Sequence, residues 1–168
     1  MKKGGGKAKG SAYQGRIAKK FEEYWGVTFA STPGSGGWAR SKEFEVVSDL
    51  VCSDFTFPAV IECKKQEGWE LDSLLKRPET NDWVAWWEQV TRDAHSVQKM
   101  PWLVFARNHF PDCIALRFSD IIPRLQSDHL LSDPSLYENA LLINIRGELL
   151  YMTLLDHFFV KYPKDFWL

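Results

Sequence analysis

Glu62 and Lys64 stand one residue apart in the run Ala59-Val60-Ile61-Glu62-Cys63-Lys64, whose apolar and β-branched content predicts a strand. Residues two apart on a strand leave the same face of the sheet, so a carboxylate and an ammonium would sit side by side. Asp49 falls on the preceding predicted strand, close enough for its carboxylate to meet that of Glu62. Two hard carboxylate oxygens and one backbone carbonyl, most naturally that of Cys63, suit Mg²⁺ with several waters retained, and Mn²⁺ as a substitute. Such an ion polarises a phosphate ester and makes a bound water a better nucleophile. A lysine beside that water can orient it, help remove its proton or offset charge developing on the phosphorane. The same residues admit a plainer reading, in which Glu62 and Lys64 are solvated on an edge strand and Asp49 is a turn residue.

The elements that would position this trio are readable from periodicity. Tyr13, Ile17, Phe21, Tyr24 and Trp25 recur at helical spacing from Ser11 to Trp25, and Gly26 stops the run. Val27 to Ala30 predicts a short strand. The loop Ser31-Thr32-Pro33-Gly34-Ser35-Gly36-Gly37 permits close approach by another backbone; it either holds phosphate oxygens, through Ser35 and Gly36, or only connects. Glu43 to Cys52 and Pro58 to Lys64 predict two strands joined around Ser53-Asp54. Leu71 to Lys76 predicts a short helix, and Asp82 to Gln98 a longer one capped by Thr80 or Asn81. Trp83, Trp86, Trp87 and Val90 lie on one stripe of it. They suit packing on the sheet better than stacking on bases, and could also bury a two-fold dimer contact.

Pro101 to Ala106 and Cys113 to Phe118 predict central strands, and Ser119 a cap for a helix through Leu125. Leu141 to Ile145 and Glu148 to Met152 flank Arg146-Gly147 as a hairpin, and the aromatic C-terminus would pack on the body or on a second subunit. This order predicts an α/β sandwich with a mixed sheet. At 168 residues and 45% hydrophobic, the chain fits a basic flexible tail over 1–10 and one domain over 11–168.

The net charge of −1 conceals an asymmetry. Lys2, Lys3, Lys7, Lys9, Arg16, Lys19 and Lys20 precede any acid, so an anion-binding arm, or simply a solvated tail, leads into an acidic body. Cys52, Cys63 and Cys113 lack CxxC spacing and the four histidines are scattered, which argues against disulfides and zinc. The sequence shows neither an apolar secretory segment nor a membrane span, so the expected location is the cytoplasm, that of the host for a viral protein.

Asp49 followed by Glu62-Cys63-Lys64 resembles the PD-(D/E)XK nuclease motif, and its flanks resemble the Holliday junction resolvase branch, phage and archaeal members especially. The flanking matches are Gly10 to Trp25, the loop Thr32 to Gly37, Trp83 to Ala94 with Trp86-Trp87-Glu88-Gln89, Lys99 to Arg107, and Cys113 to Phe118. The likeness covers about residues 10 to 118 and leaves 119–168 as a C-terminal extension. It implies a restriction-endonuclease-like sandwich with a central mixed sheet flanked by helices. It also implies a homodimer that cuts four-way DNA junctions, with Asp49 and Glu62 as metal ligands, Lys64 as the catalytic lysine and Gln89 as a helix residue facing the site.

The chain departs from the pattern at Gln14, where relatives commonly place a ligand glutamate, and at Ser48, where they often have glycine. Glutamine keeps a carbonyl acceptor but loses the charge, which weakens metal affinity. Natural tolerance, lost activity and deliberate substitution each account for it. Arg16, Lys19, Lys20, Arg40 and Lys65 are the expected phosphate contacts. The alternatives are a restriction-type or end-processing nuclease on duplex DNA, and a DNA-binding module on a nuclease fold.

Overall fold

The helical stripe Tyr13, Ile17, Phe21 and Trp25 is buried against a sheet, each residue no more than 3% exposed. The structure, a computed structural model, describes residues 5–32, 48–70, 81–127 and 134–168. Its elements are α1 (Gly5–Trp25), β1 (Phe29–Ser31), β2 (Leu50–Cys52), β3 (Ala59–Lys65), α2 (Asp82–Ser96), β4 (Met100–Ala106), β5 (Cys113–Arg117), α3 (Phe118–Ser127), β6 (Ala140–Ile145), β7 (Glu148–Leu154) and α4 (Leu155–Lys161). All seven strands form one sheet in the order β1-β2-β3-β4-β5-β7-β6. Parallel pairing of β3 with β4 requires a crossover, which α2 supplies; the remaining neighbours are antiparallel. This is the expected α/β, restriction-endonuclease-like sandwich, a mixed sheet with helices on both faces.

Alternation along the strands sends side chains into two cores. Ala59, Ile61, Trp102 and Val104 meet α1 and α4, while Val60, Leu103 and Phe105 meet Trp83, Trp87 and Val90 of α2. The tryptophan stripe therefore packs on the sheet, with Trp83 1%, Trp86 8% and Trp87 3% exposed. Asn81 caps α2, its side chain accepting from Trp83 N at 2.9 Å. The C-terminal aromatics pack on the body: Trp167 lies 5.0 Å from Trp102 between ring centroids and donates through Nε1 to the Tyr24 hydroxyl.

Several boundaries differ from the sequence reading; Asp49 lies in a bend just before β2 and not on the strand itself. Helix α1 begins at Gly5, inside the stretch read as a tail. Helix α2 stops at Ser96 because Gln98 takes a positive φ of 56°. Ser119 does not cap α3, since β5 runs directly into the helix at Phe118 and places Ser119 in its first turn. The predicted helix Leu71 to Lys76 and residues 43–47 of the predicted second strand lie outside the described residues. Among those described, no helix is long and apolar enough to cross a membrane.

Phe21 is fully buried and meets Phe29, Phe57, Trp102 and Phe159 at centroid distances of 5.1 to 6.3 Å. Phe21→Ala should lower the free energy of unfolding by about 3–5 kcal/mol in urea titration, the range for losing a buried aromatic with incomplete collapse of the cavity.

Candidate active site

Strand β2 meets β3 through Leu50 opposite Ile61, so Asp49 arrives beside Glu62 and Cys63. Asp49 Oδ2 accepts a hydrogen bond from Cys63 N at 2.9 Å. Both backbone polar groups of a strand residue point to the same edge, which turns the Cys63 carbonyl toward the Asp49 side as well. Glu62 and Lys64 share the α2 face of β3 with Val60, and Glu62 is only 2% exposed. The plainer reading of a solvated edge pair therefore does not describe this glutamate.

A closed set of contacts holds the buried carboxylate. Lys64 Nζ lies 2.6 Å from Glu62 Oε1, Gln89 Nε2 donates to the same oxygen at 2.9 Å, and Lys64 Nζ donates to Gln89 Oε1 at 3.2 Å. Gln89 thus faces the site from α2, one contact to each charged partner. Burial pushes the Glu62 carboxyl up to about 7 and the Asp49 charge adds to the rise, with Lys64 opposing both. Asp93, four residues beyond Gln89 on α2, raises it further. The sequence reading missed Asp93, although its i, i+4 spacing from Gln89 was the available signal.

Negative charge is therefore in excess at this point of the sheet, as a cation site requires. Among the described residues, no three His, Cys, Asp or Glu side chains stand close enough to hold a metal ion together. A divalent ion here would take Asp49, Glu62 and the Cys63 carbonyl, with water completing its shell, which fits an oxygen-seeking ion such as Mg²⁺.

The other anticipated residues divide. Gln14 lies on the helix face of Ile17, Ala18 and Phe21, half-buried and turned toward the sheet, and no hydrogen bond joins it to Asp49 or Glu62. Arg16 makes a two-pronged ion pair with Asp112, Nη1 to Oδ2 at 2.6 Å and Nη2 to Oδ1 at 2.7 Å, and Lys20 reaches Asp112 at 3.3 Å and Asp156 at 2.6 Å. These cations are engaged by carboxylates that no local sequence signal marked. Burial raises the Asp112 carboxyl, but Arg16 and Lys20 outweigh it and hold the group below its usual range. Lys19 and Lys65 are exposed. At the end of β3 an open cleft of about 430 Å³ is lined by Ala12, Tyr13, Arg16, Lys65, Glu67 and Asn108. Ser35, Gly36 and Arg40 lie outside the described residues.

The family described as "Phage putative PDDEXK endonuclease" matches residues 5–166. The chain belongs to this family. The match runs through β6, β7 and α4, so the stretch beyond residue 118 is part of the family's own pattern. Comparison with curated proteins and with solved structures gave no match. Family membership makes this a nuclease fold of endonuclease type, and DNA is the substrate class that the family implies.

Glu62 carries a consequence for stability. A carboxyl held above its ordinary 4.5, at about 7, takes up a proton on folding between those values, so its contribution is full below 4.5 and is lost as pH rises through 7. In metal-free buffer, the unfolding free energy of Glu62→Gln minus that of the parent should rise from pH 4.5 to 7 and level off above. A difference flat with pH would mean that Lys64 alone keeps Glu62 ionised in the fold.

Proposed function

We propose that this chain is a Mg²⁺-dependent, structure-selective endonuclease that hydrolyses phosphodiesters at branched DNA, four-way junctions in particular, and works as a homodimer. The observation that carries the reading is the convergence of Asp49, Glu62 and Lys64 where β2 leaves β3, with the Glu62 carboxylate buried beside a second carboxylate. The preference for junctions rests on the resolvase-like order of motifs over residues 10 to 118, and a two-fold dimer would offer matching sites to symmetry-related strands.

Mg²⁺ bound by the two carboxylates and the Cys63 carbonyl would supply charge stabilisation at the phosphate. The chain's own groups do the rest. Gln89 fixes one oxygen of Glu62 and so sets the direction of the other. Lys64, half-exposed beside the carboxylates, positions the attacking water and balances charge gathering on the phosphate oxygens. The water oxygen forms the new bond to phosphorus as the bond to the leaving sugar oxygen breaks, the water's proton passing to solvent and the leaving oxygen gaining one from solvent. Exposed Lys19 and Lys65 are available to neighbouring phosphates.

Gln14 favours a second reading. A neutral amide on the helix face turned to the sheet offers no third charge, which is compatible with a DNA-binding module of weakened activity. Cleavage of labelled four-way junction, linear duplex and single-stranded DNA in Mg²⁺ decides between them. Paired nicks in the junction alone are expected, with Lys64→Ala reducing the rate about 10²–10³-fold, the scale for removing one transition-state stabiliser. Gln14→Glu should raise the rate at limiting Mg²⁺. Equal cutting of linear duplex would indicate a general or restriction-type nuclease. Binding of junctions without cutting, by both the parent and Gln14→Glu, would establish the binding module.

A further inference from the structure

Among the described residues, strand β6 is the outer strand of the sheet and pairs with β7 alone, and it reads Ala-Leu-Leu-Ile-Asn-Ile without a charge or proline. Leu141 is 53% exposed, Leu142 43%, and Leu149 on β7 39%. Edge strands of soluble proteins ordinarily carry lysine, proline or a bulge that discourages pairing with another chain, and this one carries none of these.

The hairpin fixes which backbone groups are free. Arg146 (φ 52°) and Gly147 (φ 87°) form a two-residue turn with positive φ at both positions, the type I′ geometry, between Ile145 and Glu148. The residues flanking such a turn exchange both backbone hydrogen bonds, so Ile145, and with it Ile143 and Leu141, turn their polar groups inward to β7. Ala140, Leu142 and Asn144 turn theirs outward. A second β6 running antiparallel about a two-fold axis can satisfy all three pairs at once, with Leu142 opposite its own copy and Ala140 opposite Asn144.

That register is complementary in chemistry as well. Leu142 meets Leu142 on one face with Leu149 nearby, and on the other face Leu141 of each copy lies opposite Ile143 of its mate. Beyond the strand ends, exposed Glu138 of one copy falls level with Arg146 of the other, whose guanidinium is half-exposed and already pairs with Glu88 of its own chain. We infer that β6 is a homodimerisation edge, joining two copies of this chain into one continuous fourteen-stranded sheet centred on Leu142. From β3 to β3 across the join is nine strand spacings, so the two candidate sites lie roughly 40 Å apart along the sheet, with their β3 strands pointing in opposite directions. The inference stands on the strand edge and is independent of the catalytic reading.

Sedimentation velocity of the full chain over a hundredfold concentration range tests it, together with residue-resolved amide exchange. A reversible dimer is expected, with the amides of Ala140, Leu142 and Asn144 gaining protection as concentration rises while the inward amides of Leu141 and Ile143 do not change. Leu142→Lys places two like charges face to face on the axis and should give a monomer with an unchanged far-ultraviolet circular dichroism spectrum. A parent that stays monomeric at all concentrations overturns the proposal, including the case in which another segment of the chain protects those amides. A dimer that survives Leu142→Lys also overturns it. Should Leu142→Lys fail to fold, the exchange pattern of the parent decides alone.

Discussion

The burial of the Glu62 carboxylate between β3 and α2 is the constraint around which the site is organised. Removing an ionised carboxylate from water is costly unless it is paired and hydrogen-bonded, and here one ammonium and one amide reach the same oxygen. That pairing is incomplete, since burial above all, and then the charges of Asp49 and Asp93, oppose ionisation and Lys64 does not offset the whole. The residual cost is what a bound cation would relieve. Such an arrangement sacrifices stability for charge density, and perturbed carboxylates cluster at functional positions for that reason.

The remainder of the molecule makes this placement possible. The parallel β3–β4 pair brings the middle of β3 into the sheet's interior, so its outward and inward residues both find cover. On the α2 side, Trp83 and Trp87 stack with 6.1 Å between centroids, and Trp83 meets Phe105 edge-on at 5.7 Å. These large rings fix the helix height above the sheet, and Gln89 is held where it can reach Glu62. On the opposite side, α1 is tied down twice, by apolar and aromatic packing from Tyr13 to Trp25 and by the Arg16–Asp112 pair near its middle. Asp112 is 8% exposed while Arg16 remains half-exposed, so this ion pair orients the helix more than it stabilises the fold.

The engagement of Arg16 and Lys20 also changes the electrostatic picture drawn from charge counting. A run of cations without acids in the first twenty residues suggested an arm free to bind phosphates, yet two of them are neutralised by acids from far along the chain. Among the described residues, Lys65 and the partly available Arg16 line the cleft at the end of β3, and Lys19 is exposed on α1.

What the sequence by itself determined are the features governed by local physics. Continuous apolar runs located β3, β4 and β5, apolar runs about the Arg146-Gly147 turn located the C-terminal hairpin, and apolar stripes at helical spacing located the two long helices. The Glu62-x-Lys64 spacing placed both groups on one face, where the two side chains meet. Tertiary structure alone decided the rest. Nothing local distinguishes an exposed Glu62 from one covered by α2, or tells that Asp112 would claim Arg16. Nor could composition reveal that Leu141 and Leu142 would fall on an outer strand and not an inner one. Each of these depends on contacts between residues distant in the chain, and burial, the quantity that sets their energies, exists only once those contacts are made.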